Sequence, residues 1–120
     1  MSNSPQDVHK KVLGKKGEKL VEKYVKEQGY TILKRNYSTP FGEADLIAQD
    51  KDEIVFIEVK TRTGESFGSP REAVGKNKQQ RYRQIAKCFW KEDGEEPNAR
   101  FDVAEVYADG RIEYYKNAFI

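Results

Sequence analysis

Three ionisable residues lie in two segments that otherwise have the composition of buried β-strands. Asp45 belongs to the run FGEADLIA (residues 41–48), and Glu58 and Lys60 belong to the run IVFIEVK (residues 54–60). Side chains alternate along a strand, so Glu58 and Lys60 share one face. Two carboxylates beside an ammonium group could bind a divalent cation and stabilise negative charge during hydrolysis.

The register of a hairpin would bring the two acids together. If the two strands are joined by a turn at Lys51 and Asp52, Asp45 lies opposite Glu58. The Cβ atoms of directly opposed residues are about 5 Å apart. Two carboxylates at that distance can share one hard cation, and without it they are too close to ionise comfortably. The pattern therefore predicts a divalent-metal site.

A structural interpretation of the same residues remains open. Glu58 and Lys60 could form a half-buried ion pair, and an exposed sheet face often carries alternating charge. Asp45 favours the metal interpretation, because two opposed acids would repel each other on a solvated face. The apolar run at residues 54–57 also indicates a strand that is covered on both sides.

Composition indicates one soluble globular domain. The 120 residues are 37% hydrophobic and 35% charged, and no segment approaches the roughly 20 apolar residues that cross a bilayer. No signal peptide is recognised, so we expect a cytoplasmic protein without membrane contact. The single cysteine and single histidine exclude a disulfide framework and a zinc cluster of soft ligands. Any metal must therefore be bound by oxygen.

The net charge is only +2, but the basic residues are concentrated in two clusters. One spans residues 10–26, and the other spans residues 71–91, where seven basic residues face one acid. A charge run is usually only a solvated face, but beside a carboxylate site it favours a phosphate-backbone partner. The second cluster and its surroundings supply predicted nucleic-acid contacts: Arg62, Lys76, Lys78, Arg81 and Arg83.

Hydrophobic periodicity and turn signals predict the elements that position these residues. We expect a helix over residues 12–28, strands over 30–38, 43–49 and 54–62, a helical region beginning at the capping-box sequence SPRE (69–72), and strands over 101–107 and 111–115. Glu18 falls at the edge of the apolar stripe of the first helix, from which it can lean toward the sheet. The order α-β-β-β-α-β-β predicts an α/β fold with a central mixed β-sheet flanked by helices. Residues 1–11 are expected to be a mobile polar leader, and residues 12–120 a single domain.

An ordered set of motifs resembles a known family. The set comprises Gly17-Glu18 in the opening helix, GEADLI (42–47), EVKTR (58–62) and RFDV (100–103), and it resembles the YraN family of uncharacterised bacterial proteins. That family looks like a branch of the PD-(D/E)XK nuclease superfamily, and its layout resembles that of archaeal Holliday junction resolvases. The resemblance implies a restriction-endonuclease-like core.

The resemblance also implies roles for single residues. It makes Glu18, Asp45, Glu58 and Lys60 catalytic, with Mg²⁺ or Mn²⁺ held by Asp45, Glu58, the carbonyl of Val59 and Glu18, the last directly or through a water. Residue 44 is alanine where the superfamily pattern has proline, which weakens the motif without removing a ligand. Asp102 either supports this site or forms hydrogen bonds at a strand end, and the structural role is favoured. The resemblance also makes Gln79 or Lys78, at the start of the basic helix, a candidate nucleic-acid contact, although surface polarity of the helix explains both residues equally well.

The function expected from these features is a metal-dependent endonuclease acting on branched or structured DNA in repair or recombination. The alternative is a non-catalytic nucleic-acid-binding module or adaptor with a nuclease-like fold, because a fold does not prove catalysis. DNA is favoured over RNA through the resemblance alone. Resolvase-like relatives also imply a homodimer, and protein partners in repair, recombination or DNA uptake are further expectations.

Overall fold

Two helices and five strands make up the described part of the chain. The structure is a computed structural model, and it describes residues 5–62, 76–93 and 98–118. In chain order the elements are α1 (Pro5–Glu27), β1 (Thr31–Thr39), β2 (Gly42–Asp50), β3 (Glu53–Arg62), α2 (Lys76–Asp93), β4 (Asn98–Tyr107) and β5 (Ile112–Tyr115). The predicted α/β fold and the order of its elements are confirmed.

The five strands form one mixed sheet in the order β1-β2-β3-β4-β5. β3 and β4 are parallel, and the other neighbouring pairs are antiparallel. A parallel pair needs a long crossover connection, and α2 lies in that connection. The predicted two-residue turn joins β2 to β3, with Lys51 in the left-handed region at φ 58°.

Each face of the sheet carries its own hydrophobic core. On one face, Val21 and Val25 of α1 pack on a cluster that includes Val55, Ile57 and Ala104. On the other face, α2 covers β2 and the middle of β3, with a cluster of Ala44, Ile47, Phe56, Tyr82, Ile85, Ala86 and Phe89. Each large apolar side chain buried in this way contributes roughly 1.5–3 kcal/mol. The alternation of strand residues therefore positions both helices.

The first helix begins earlier than its apolar pattern predicts. α1 begins at Pro5, whereas the prediction placed its start at residue 12. Proline is well tolerated in the first turn of a helix, where its missing N–H would have no helical partner. The apolar periodicity marks only the part of a helix that packs on the sheet, so it could not reveal the additional polar turns. The leader predicted for residues 1–11 is therefore helical from Pro5, and its mobility stays a prediction.

A polar network around Asp102 links β2, β4 and β5. The carboxylate of Asp102 accepts hydrogen bonds from Arg100 Nε (3.0 Å), Tyr114 Oη (2.5 Å) and the Asn117 N–H (3.0 Å). Arg100 also donates to Asp50 and Tyr30 at 3.0 and 2.6 Å. Asp102 therefore has the structural role that the sequence favoured.

The predicted start of the second helix at Ser69 lies outside the described residues. Of the helices that are described, none is both long and apolar enough to span a membrane.

Candidate functional site

The strands β2 and β3 stop pairing at Asp45. Their ladder runs from Asp50 opposite Glu53 to Leu46 opposite Ile57. The same register, extended by one residue, sets Asp45 opposite Glu58, as predicted from the turn. Here a side chain replaces the backbone partner, because Asp45 Oδ2 accepts a hydrogen bond of 2.8 Å from the Val59 N–H. β3 continues and pairs with β4 as far as Arg62, so the sheet opens between β2 and β3.

Glu58 and Lys60 follow the opening along one face of β3. Glu58 is 5% exposed, and Lys60 is half-buried two residues further on. Burial of a carboxylate removes most of its water, so its charge acts strongly on neighbouring groups. At Asp45, burial is the main cause of a raised pKa, and the negative charge of Glu58 adds to it.

Two further acids and an asparagine lie at the same opening. Glu18 reaches it from α1, and Glu43 precedes Asp45 by two residues on β2. With its amide nitrogen turned toward these acids, Asn36 Nδ2 donates to Glu43 Oε1 at 3.0 Å and to Glu18 Oε2 at 3.3 Å. Asn36 belongs to β1, between the positions paired with Leu46 and Ala44, and therefore next to Asp45. Its backbone lies in the left-handed region at φ 49°, which Asn adopts more readily than most residues.

Two of these acids, Asp45 and Glu18, have raised pKa values. The pKa of Asp45 is raised to about 6, mainly by burial and further by Glu18, Glu58 and Glu43, against the lowering effect of the Val59 hydrogen bond. Burial and the charge of Glu43 raise the pKa of Glu18, while Asn36 and Lys15 lower it. The structure thus brings together acids from α1, β2 and β3.

A buried tyrosine adjoins this group. Burial and the charges of Asp45, Glu58 and Glu43 raise the pKa of Tyr82 on α2, so its hydroxyl stays protonated. Within the described residues, no three acidic, histidine or cysteine side chains are already arranged to hold a metal ion. Binding of a cation would therefore require the acids to move closer or water to complete the ligand set.

The residues predicted to contact nucleic acid differ in how exposed they are and in whether their side chains are described. On α2, Arg81 and Arg83 are exposed and Gln79 is half-buried. The stem of Arg81 lies against the β1–β2 turn, since a Cβ placed on Gly42 would be 2.8 Å from Arg81 Cδ. Lys76 and Lys78 belong to α2, but their side chains lie outside the described part of the structure.

Arg62 makes a structural contact. Its Nε donates to Glu105 Oε2 at 2.8 Å, and Glu105 is 1% exposed. Tyr107 Oη donates to the other oxygen of Glu105 at 2.8 Å. Arg62 therefore compensates a buried charge, and a contact between Arg62 and nucleic acid stays a prediction.

Two residues of the site were missed by sequence reasoning. Glu43 lies inside the GEAD motif, and its signal was a second acid two residues before Asp45. Asn36 had no sequence signal, because it lies within an ordinary strand pattern and only the approach of α1 makes its amide a bridge between acids. The carbonyl of Val59 was predicted as a ligand, whereas the contact described for Val59 is its N–H to Asp45.

These features define an α/β protein with a five-stranded mixed sheet between two helices, a layout compatible with a nuclease-like core. Its sequence matches the uncharacterised protein family UPF0102 over residues 17–106. The chain belongs to this family, which is the YraN family that its motifs resemble. A UPF0102 protein of Desulfosudis oleivorans is 45% identical over 108 residues, covering 88% of each chain.

Two other relatives have similar coverage. The UPF0102 protein of Caldanaerobacter subterraneus is 41% identical over 119 residues, covering 93% of this chain and 98% of its own. That of Thermodesulfovibrio yellowstonii is 45% identical over 107 residues, covering 89% and 95%. Because the family is uncharacterised, these matches assign no activity.

Proposed function

We propose that the protein is a metal-dependent endonuclease that hydrolyses phosphodiester bonds in branched or structured DNA. The observation that carries the proposal is the opening between β2 and β3, where Asp45 lies against the Val59 N–H beside buried Glu58. Stability alone does not explain why Glu58 lies beside Asp45, because like charges in a partly buried place destabilise a fold.

The donor set fits a hard divalent cation. Mg²⁺ prefers oxygen ligands and keeps several waters, so one or two protein carboxylates suffice to hold it. Asp45 and Glu58 would bind directly, and Glu18 would bind directly or through a water. The raised pKa of Asp45 is consistent with this, because it arises mainly from burial and further from the negative charges of Glu18, Glu58 and Glu43, and a bound cation would offset those charges. When bound, Mg²⁺ or Mn²⁺ supplies an activated water and neutralises charge on the phosphate oxygens.

The remaining residues of the site would bind the DNA backbone, orient Asp45 and stabilise charge on the phosphate. The ammonium of Lys60, two residues beyond Glu58 on the same face, stabilises negative charge on the phosphate in the transition state. The hydrogen bond from Val59 fixes one oxygen of Asp45, so that its other oxygen has a defined direction. Arg81 and Arg83 supply exposed positive charge for the DNA backbone, which favours recognition of shape over sequence.

A cleavage assay tests the proposal. Labelled linear, flapped and four-way DNA are incubated with Mg²⁺, Mn²⁺ or EDTA and with wild-type, Glu58→Ala and Lys60→Ala proteins. We expect metal-dependent cutting, with the highest rate on a branched substrate and a loss of at least about 100-fold in each variant. Wild-type cutting in EDTA, or equal rates in the variants, would contradict the assignment. RNA versions of the same substrates test the preference for DNA.

One observation favours the adaptor alternative. The hydrogen bond between Asp45 and Val59 is also what a purely structural aspartate would make at the end of a ladder. In that case the protein binds DNA in a salt-sensitive way that is indifferent to metal, and no divalent ion yields a product. Mg²⁺-dependent stabilisation separates the two functions, because only an endonuclease site binds the ion to the folded state. At a Mg²⁺ concentration 100 times the dissociation constant, it should add about 2.7 kcal/mol to the unfolding free energy.

A further inference from the structure

A charged pocket of ≈ 220 Å³ adjoins the acids on the α1 side of the sheet. Three basic residues line it, Lys15 and Lys19 from α1 and Arg35 from β1, together with Glu18, Glu22 and Asn36. A pocket of this size has room for a phosphate group together with several waters. The predicted DNA contacts include none of its basic residues.

The positive charges of the pocket differ in their availability. Arg35 Nε pairs with Glu22, whose other oxygen is 4.0 Å from Lys26 Nζ. Lys15 and Lys19 are exposed, and neither forms an ion pair with a described acid. The local excess of positive charge therefore comes from the two lysines, one helical turn apart on the same face of α1.

Glu18 and Asn36 connect this pocket to the candidate site. Both residues line the pocket, and both belong to the hydrogen-bonded group that includes Glu43. The charge of Lys15 already acts on Glu18, whose pKa it lowers. The sugar–phosphate backbone of a nucleic acid that enters the opening at Asp45 would thus lie between the basic pocket on the α1 side and the exposed arginines on the α2 side.

We propose that this pocket is a phosphate subsite that binds the sugar–phosphate backbone of a nucleic acid beside the carboxylates, with Lys15 and Lys19 as its ligands. The inference rests on the proposed function for its ligand class, and it deepens that function by naming where the substrate is held. The subsite would keep the scissile phosphate near four acids that would otherwise repel it. Arg35, which is paired with Glu22, forms part of the pocket wall and contributes less to the affinity for nucleic acid than the two lysines do.

The test compares three single-charge variants from one helix. Binding of labelled four-way DNA is measured by fluorescence anisotropy in EDTA over a series of salt concentrations, for wild type, Lys15→Ala, Lys19→Ala and Lys23→Ala. Lys23 is exposed on α1 and does not line the pocket, so it is the matched control. We expect Lys15→Ala and Lys19→Ala each to weaken binding about tenfold and to lower the salt slope by about one. Lys23→Ala should change affinity by less than about twofold, as expected for a charge without a phosphate partner.

Each outcome separates the subsite from the catalytic proposal. Equal effects of all three variants would show a diffuse positive surface and would overturn the subsite, as would the absence of DNA binding by wild type. If wild-type protein cleaves DNA and the pocket variants bind it normally, the subsite is wrong and the endonuclease function stands. If no metal supports cleavage but only the pocket variants lose affinity, the subsite stands and the adaptor function replaces the enzyme.

Discussion

At the scale of single residues, the ionised carboxylate of Asp45 lowers the unfolding free energy of the protein. It is partly buried among Glu18, Glu43 and Glu58, and its pKa is raised to about 6 from an ordinary value of about 4. The folded protein therefore holds this proton more tightly than the unfolded chain does. As the pH rises from about 4 to about 6, this residue makes unfolding progressively easier, and the loss persists at higher pH.

Replacement of Asp45 by asparagine should consequently stabilise the protein. The variant removes the charge and keeps a carbonyl oxygen that can accept the Val59 hydrogen bond. A shift of about 2 pKa units corresponds to at most about 3 kcal/mol, and we expect a gain of about 2 kcal/mol in unfolding free energy at pH 8 without divalent metal. Chemical denaturation at pH 4, 6 and 8 measures it, and the gain should nearly vanish at pH 4.

The control for this prediction is Asp52→Asn, at the exposed turn between β2 and β3. It should keep the wild-type dependence on pH. A loss of stability for Asp45→Asn at pH 8 would instead mean that Asp45 is mainly structural, which favours the adaptor function.

At the scale of elements, the approach of α1 to β3 positions Glu18. The helix comes close to the sheet at Gly17, where an added Cβ would lie 2.9 Å from Thr61 Oγ1 and 3.7 Å from Val106 Cβ. A glycine in a helix interior normally costs about 1 kcal/mol relative to alanine. Here it allows the helix axis to lie close to the sheet, and the next residue is the acid of the site.

Gly17→Ala should therefore be destabilising despite its better helix propensity. We expect a steric cost of about 2 kcal/mol that exceeds the gain in propensity, for a net loss of about 1 kcal/mol. In a Thr61→Ala background the close contact is absent, and the same substitution should be neutral or stabilising. A double-mutant cycle by urea denaturation measures the coupling, and additive effects would show that Thr61 does not limit the approach.

At the scale of the whole molecule, stability and the candidate function use different polar groups. Arg100 connects β4 to Asp50, Glu53 and Tyr30, and so links the strands around the β2–β3 turn to the end of α1. Asp102, fully buried, depends on it for charge compensation. Around Asp45, by contrast, burial and the negative charges of Glu18, Glu58 and Glu43 raise the pKa of the central carboxyl group.

Arg100→Met should be among the most destabilising substitutions in the chain. It leaves the buried carboxylate of Asp102 without its cation, which costs about 3–5 kcal/mol. Arg111→Met, which removes an exposed guanidinium 4.3 Å above the Tyr107 ring, should cost less than about 1 kcal/mol. Thermal unfolding of both proteins tests this, with Arg100→Lys as the variant that keeps the charge if Arg100→Met does not fold. Similar melting temperatures for the two methionine variants would contradict the structural role of the network.

The sequence by itself determined the order of the elements and the meeting of Asp45 with Glu58. Both depend on local patterns: alternation sets which face a side chain takes, and a two-residue turn fixes the register of β2 and β3. The family followed from motifs within these same elements. The early start of α1 was missed because polar helical turns leave no apolar pattern.

Only the tertiary structure decided what surrounds those two acids. The packing of α1 brings Glu18 to Asn36 and Glu43 and so adds both residues to the site. The pairing of β3 with β4 brings Arg62 to Glu105. Such contacts join residues far apart in the chain, and no local preference encodes them. The raised pKa of Asp45 has the same origin, because burial and the distances among charges exist only once the helices lie on the sheet.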